Sequence, residues 1–426
     1  MSAASLFSPA ETAALGARAE TMLAELAGFT AEPGRVTRLY LTPAHRAAAT
    51  CVAGWMAAAG LEVSEDALAT VHGVLPATAE GAGNRRLLIG SHIDSVIDAG
   101  RYDGCLGVVA GILAAEEIRH RGLKLPFAVE VLAFGDEEGV RFPVALSSSN
   151  AVAGRFDPAT LEARDRDGLS LRQALEAFGC DPARIGEAAA DPASVLAYLE
   201  VHIEQGPVLE QEGHALGIVT AIAGAMRATF RFAGVAGHAG TVPMASRHDA
   251  LAGAAELVVA IEAIARAAGG DVVATVGRIS AAPGAVNVIP AEAVLSLDLR
   301  AGADTPRLRA WAAIVAAAEA IAGRRGLTVT RTLDYEKPTA PCAPALQAVL
   351  GQAVAATGEP HPRALMSGAG HDGLAMAALT DIAMLFVRCR GGISHNPAEY
   401  ASAGDMGLAV AALVEAIVRL GAAGAR

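Results

Sequence analysis

Residues 126–134, PFAVEVLAF, are apolar on both alternating faces apart from Glu130. A strand with one wet face alternates apolar and polar residues. One that is apolar throughout must be covered on both sides, as a central strand of a parallel sheet is when helices sandwich it. The preceding segment supplies such a helix: DGCLGVVAGILAAEEIRHRG puts Leu106, Val109, Ala110 and Leu113 on one helical face, with Arg119 to Gly122 as its stop. LLIG (87–90) before it reads as a short buried strand, which completes a βαβ unit. VLAYLEV (195–201) and DIAMLFVR (381–388) have the same character far away in the chain, so the sheet-bearing domain is predicted to be discontinuous. Near the start, Ser8-Pro9-Ala10-Glu11 is a capping-box pattern that opens a helix running to about Gly28, and Thr42-Pro43 opens another that ends near Gly60.

Between those strands the rhythm changes. A strand at 226–232, a helix from Asp249 to about Gly269, strands at 272–279 and 293–300, a helix from Asp304 to about Gly323 and a strand at 327–333 follow one another. That β-α-β-β-α-β order is the split βαβ, ferredoxin-like arrangement. The predicted fold is therefore α/β: a domain of residues 1–217 and 334–426 with a mixed, largely parallel sheet flanked by helices, carrying an inserted α+β domain at 218–333. Two domains also suit 426 residues, a length beyond which single cores stop growing. A formal charge of −12 disfavours nucleic acid and anionic membranes as partners. The five cysteines are scattered, without CxxC pairing, and the N-terminus lacks a basic segment followed by an apolar one, so a cytoplasmic protein without disulfides is expected.

Ligands of open α/β sheets bind at the carboxyl ends of the strands, so the residues that follow each strand are the informative ones. After LLIG come His92 and Asp94; after PFAVEVLAF come Glu137 and Glu138; after VLAYLEV come His202 and Gln205; beyond DIAMLFVR comes His395. Asp103 adds a carboxylate just before the helix. Each alone has a bland explanation, a capping histidine or a solvated acidic turn. Together, imidazoles and carboxylates at one edge of one sheet spell a site for zinc, manganese, cobalt or nickel rather than calcium or magnesium.

The chain resembles the M20-type metallohydrolases, and within them the amidase branch of allantoate amidohydrolases, N-carbamoyl-L-amino acid hydrolases and β-ureidopropionases. The likeness runs in order through GSHIDSVIDAGRYDGCLGV, GDEEGVRF, EVHIEQGPVLE, GHAGTVPM, NVIP, LDLR, SGAGHD and GISHNPAEY. It implies two divalent metal ions per subunit, manganese or zinc first, with Asp103 bridging them, Glu138 and His395 completing one site, and His92 and His202 completing the other. It further implies that Glu137 is the general base, that Asp94 orients His92, and that His238, Asn287, Arg300, Gln205 and His371 contact substrate. The inserted domain would serve as lid and dimer interface. HIEQGP, with His202 where other branches commonly carry aspartate, favours the amidase branch.

The reaction so implied is release of ammonia and carbon dioxide from the ureido group of allantoate, with an N-carbamoyl-L-amino acid or a β-ureido acid as the alternative substrate. PVALSSSN, after the glutamate pair, departs from the family's usual pattern and leaves the pocket wall there open. Without the resemblance, Arg300 at a strand end reads as a solvated ion pair, and His238, Asn287 and His371 as turn residues. Cys105 reads as a small helix residue. Two other classes compete. His92 and Asp94 with a distant His395 also fit the facial triad of non-haem iron oxygenases, but that fold is largely β and these helices oppose it. A degenerate, purely binding family member is opposed by the complete ligand set.

Overall fold

In the computed structural model, which describes residues 5–424, the apolar run forms the strand Ala128–Phe134 inside a mixed sheet. The sheet runs through Glu62–Glu65, Val71–Leu75, Ala128–Phe134, Arg86–His92, Val195–Ile203, Ile382–Val387 and Leu216–Ile222 in spatial order. Its four central strands are parallel, and the strands beyond them on both flanks are antiparallel. Leu87, Ile89, Val129 and Val131 face a core closed by the helices Pro9–Ala27, Cys105–His120 and Ala403–Gly424. Helix Cys105–His120 is buried at every residue from Cys105 to Ala115, more than the predicted single face, because both other helices pack against it as well as the sheet. The Ser8–Glu11 capping box forms as predicted.

The opposite face of the sheet is covered by a layer containing Tyr40, Leu41, Phe142, Leu161, Leu171 and Leu175. Much of it is built from short pieces. Asp157, Asp181 and Asp191 each precede a proline that starts a 3-10 turn, and each side chain accepts the N–H two residues on. Glu130, the one polar residue of the apolar run, points to this side. Its carboxylate accepts from His72 Nδ1 at 2.8 Å and from Arg86 Nη1 at 2.8 Å, so the charge is buried as a pair and not alone.

The chain divides into two compact units: one comprises residues up to Thr220, Cys342–Leu365 and Gly370 onward; the other is Ala221–Pro341 with Met366–Ala369. The second unit holds an antiparallel sheet of Ile279–Ala282, Glu292–Ala301, Gly224–Ala233 and Thr328–Lys337, with Val273–Thr275 also paired to Glu292–Ala301. Helices Ala250–Ala268 and Asp304–Arg325 cover one face over Phe230, Phe232, Leu295, Leu297 and Leu299. The predicted strand at 272–279 is broken in two. At the break the register slips by one residue, from Thr275 opposite Asp298 to Ile279 opposite Leu295; Arg278 accepts the Ser296 N–H through its carbonyl at 3.0 Å, while its own N–H donates to Ser296 Oγ at 3.1 Å. No helix among the described residues is long and apolar enough to cross a membrane, and all five cysteines are free thiols.

Candidate metal centre

Four parallel strands deliver their C-terminal residues to one edge. His92 ends Arg86–His92, His202 is the penultimate residue of Val195–Ile203, Glu137 and Glu138 follow Ala128–Phe134, and His395 lies in the loop beyond Ile382–Val387. Asp103 stands just before helix Cys105–His120 and occupies the middle of the group. Its Oδ1 is 3.2 Å from His202 Nε2 and 3.8 Å from His92 Nε2; its Oδ2 is 3.2 Å from His395 Nε2. Glu138 Oε2 lies 3.6 Å from His395 Nε2, and Glu137 Oε2 lies 4.0 Å from His92 Nε2. His92, Asp103 and His202 form one cluster of potential ligand atoms, and Asp103, Glu138 and His395 form a second that shares Asp103.

The donor chemistry fits cations. His202 Nδ1 donates to the Ile203 carbonyl at 2.9 Å, and His92 Nδ1 donates to the Asp94 carbonyl at 3.2 Å, so in both rings Nε2 is the nitrogen that faces the cluster. Two ligands held about 2.1 Å from one tetrahedral ion stand roughly 3.4 Å apart, close to the donor spacings here. The electrostatics agree. Burial, together with the neighbouring carboxylates, raises Glu137 well above the usual carboxylate range and Glu138 to about 7, although the His92 charge opposes the rise in both. Its hydrogen bond to Asp103 pushes His395 up to about 9.

Close packing holds the group. Asp94 accepts the N–H of Glu137 on Oδ1 and that of Glu138 on Oδ2, each at 3.2 Å, and its Oδ1 is 3.4 Å from His92 Nδ1. It therefore positions three of the predicted residues at once. Gly104 has φ +65°, and a Cβ there would overlap the His92 ring, so only glycine admits the helix start this close to the imidazole. Gln205 and His395 are themselves left-handed, at φ 57° and 54°, strain of the kind that gathers where surrounding contacts fix a functional side chain.

The remaining predicted residues divide. Gln205 joins the cluster: its Nε2 donates to Asp103 Oδ2 at 3.0 Å. His371 is buried with its ring 4.4 Å from that of His202. His238, Asn287 and Arg300 belong to the second unit. There Gly237–His238 pairs with Val288–Ile289, His238 is exposed, and the exposed Asn287 accepts the Ala239 N–H through its carbonyl at 2.9 Å. Arg300 stands at the end of its strand with its fork on Asp298, Nε to Oδ1 at 2.7 Å and Nη2 to Oδ2 at 3.0 Å, while Nη1 donates to the Gly368 carbonyl at 2.7 Å.

Sequence reasoning passed over three buried acids near the cluster: Glu200, Asp372 and Glu399. Glu200 accepts from Ser91 Oγ, Tyr198 OH and Gly373 N. Each lies within four residues of a predicted residue, but Glu200 accepts from Ser91 and Gly373 and Glu399 from Tyr102 and Asp103, all far away in sequence, so no local pattern marks those contacts.

A sequence profile of peptidase family M20/M25/M40 matches residues 88–419. The chain is 40% identical over 406 residues to an N-carbamoyl-L-amino acid amidohydrolase of Geobacillus stearothermophilus, covering 95% of this chain and 98% of that protein. It is also 40% identical over 409 residues to an allantoate deiminase of Arabidopsis thaliana, covering 89% of this chain and 77% of that one. Among solved structures, an amidase of the hydantoinase/carbamoylase family from Burkholderia multivorans is similar with a TM-score of 0.88 at 32% identity, over 95% of this chain and 98% of that one.

Proposed function

The chain belongs to peptidase family M20/M25/M40, and from that premise we propose that it is an allantoate amidohydrolase, converting allantoate to ureidoglycine, ammonia and carbon dioxide. It is a hydrolase acting on C–N bonds. The observation that carries the reading is the pair of donor clusters sharing Asp103 in a chain whose curated relatives act on ureido carboxylates. A second reading, hydrolysis of N-carbamoyl-L-amino acids, is favoured by the equal identity to the bacterial amidohydrolase over a larger share of the chain.

Our reading has His92 and His202 holding one divalent ion, Glu138 and His395 holding the other, and Asp103 serving both. Manganese or zinc suits this mixture of imidazole and carboxylate, and cobalt or nickel would also fit. When bound, such ions supply Lewis acidity towards a carbonyl oxygen and acidify water. Glu137, largely shielded from solvent and with a raised pKa, accepts the proton of the attacking water and passes it to the departing nitrogen. Asp94 holds His92 and the Glu137–Glu138 backbone in place for this. Gln205 and His371 line the substrate side. His238 supplies an N–H to the developing oxyanion, a contribution of about 3 kcal/mol for one donor. Arg300 and Asn287 recognise the carboxylate end. We further propose a cytoplasmic homodimer in which the second unit forms the interface.

The deciding experiment measures ammonia and residual ureido compound with allantoate and with a panel of N-carbamoyl-L-amino acids on protein loaded with manganese or zinc. Turnover of allantoate at least tenfold more efficient than of any carbamoyl amino acid is expected. The reverse preference establishes the second reading, and no turnover of either class overturns both.

A further inference from the structure

Glu399 follows His395 by four residues and is 5% exposed, yet no part of the reaction outlined above uses it. Its Oε1 accepts the backbone N–H of Tyr102 at 2.9 Å and of Asp103 at 3.1 Å, from a segment nearly three hundred positions earlier in the chain. Its Oε2 accepts from Ser394 Oγ at 2.9 Å. Gly100 makes room for this: a Cβ on residue 100 would overlap both Cβ and the carboxyl group of Glu399. One buried carboxylate thus ties the loop that carries Asp103 to the turn that carries His395.

The hydroxyl between them makes the arrangement more than a fastening. Ser394 Oγ lies 2.9 Å from Glu399 Oε2 and 3.1 Å from Asp103 Oδ2, and it also accepts from Gln205 Nε2 at 3.1 Å. A serine hydroxyl has one hydrogen to give. If that hydrogen goes to Glu399, Asp103 Oδ2 accepts only from Gln205 Nε2 and keeps a lone pair open on the side facing His395. If it goes to Asp103, it competes with a cation for the same oxygen.

We propose that Glu399 is a positioning residue of the metal centre, which fixes the Asp103 loop through two backbone amides and draws the Ser394 hydrogen away from the oxygen that Asp103 presents towards His395. The proposal rests on the reading of Asp103 as a metal ligand. Removal of groups that orient ligands typically costs 10–100-fold in metal affinity, and that is the size expected here.

The test uses cobalt as the probe, added to full-length apoprotein and followed by its visible absorption, with thermal unfolding measured alongside. Glu399→Gln retains a carbonyl oxygen for the two amides but turns an NH₂ towards Ser394, so the hydroxyl must donate to Asp103 instead. Cobalt affinity should fall 10–100-fold with little change in melting temperature. Glu399→Gln combined with Ser394→Ala removes the competing hydrogen and should regain most of the loss. Glu399→Ala should lose both affinity and stability; should it fail to fold, the glutamine variants still decide. Wild-type affinity in Glu399→Gln, or no recovery in the double variant, overturns the proposal. Wild-type cobalt binding in an Asp103→Ala control refutes the ligand reading itself.

Discussion

The ion chain that buries Glu130 permits a worked prediction, because its histidine is far from its ordinary state. His72 stands between Glu130, 2.8 Å from Nδ1, and Asp66, 3.3 Å from Nε2. Burial opposes its charge, but the hydrogen bonds to Asp66 and Glu130 outweigh it and raise its pKa from the usual 6.5 to about 9. A histidine raised in the folded state binds its proton more tightly there than in the unfolded chain. Its stabilisation is complete below about pH 6.5 and is lost as pH climbs through 9. Two and a half units at 1.36 kcal/mol each come to about 3 kcal/mol. His72→Gln keeps a donor but cannot carry charge. The difference in unfolding free energy between wild type and this variant, measured in urea, should therefore be large at pH 6 and shrink by about 3 kcal/mol by pH 9.5. Comparing the two proteins at each pH cancels the cysteines and tyrosines that also titrate in that range. A gap that stays constant across the range would mean that His72 is not held charged by its two acids, and the argument fails.

Glu137→Gln should retain metal and lose at least 100-fold in turnover, whereas Glu138→Ala should lose metal occupancy as well; equal metal loss in both, measured by elemental analysis, refutes the division of roles. Arg300→Lys should lower kcat/KM 10–100-fold with metal intact, since gripping a substrate carboxylate requires the fork to turn from Asp298, and a lysine has no fork to turn; an unchanged value removes Arg300 from recognition. Mixed dimers of Glu137→Gln and His238→Ala should regain roughly half of wild-type activity if each His238 serves the partner's site, because one site then collects both lesions and the other none. Mixed dimers that are inactive yet fully metallated rule out that exchange.

The secondary structure was legible wherever a local rule governed it. Ser8 and Glu11 announce their capping box, and the apolar runs around Leu88, Val131, Leu199 and Leu385 become the four parallel strands, because burial on both faces leaves little choice of residue. His92, His202 and the glutamate pair were visible for the same reason, as imidazoles and carboxylates at or just beyond strand ends. Other features depended on partners distant in the chain. Glu399 acts on amides of Tyr102 and Asp103, and Glu200 on Gly373, so nothing near either residue in sequence reports the contact. The cover over that other sheet face was hard to read because much of it is short: Asp-Pro turns beside the two-turn helix Leu171–Phe178, although the capped prolines and the Ser170–Gln173 capping box are themselves local signals. The break near Gly277 is a one-residue slip in register against Glu292–Ala301, with the Arg278 N–H turned to the Ser296 hydroxyl, which alternation of residue type cannot foretell.

The adjacent glutamates pose a geometric question that the structure answers. Glu137 and Glu138 lie in a bend beyond the strand Ala128–Phe134, so the two neighbours can serve different ends of one centre only if the backbone between them is held in a fixed orientation. Asp94 provides that hold, one oxygen on each amide, and the side chains then diverge: Glu137 towards His92, Glu138 towards His395. The same carboxylate lies against His92 Nδ1, so the rotation of the imidazole and that of the glutamate loop are set by one group. Asp94 on one side and Glu399 on the other thus perform similar tasks, each holding two consecutive backbone amides, Asp94 with one oxygen on each and Glu399 with Oε1 on both. Asp103, between them, spends its own on three imidazole nitrogens, the side chain of Gln205 and the hydroxyl of Ser394. A carboxylate saturated by backbone N–H groups has few lone pairs left for a cation, whereas one facing imidazole lone pairs is placed to share a cation with them. That contrast in partners, more than proximity, separates the residues that hold the centre in shape from those that would hold the metal.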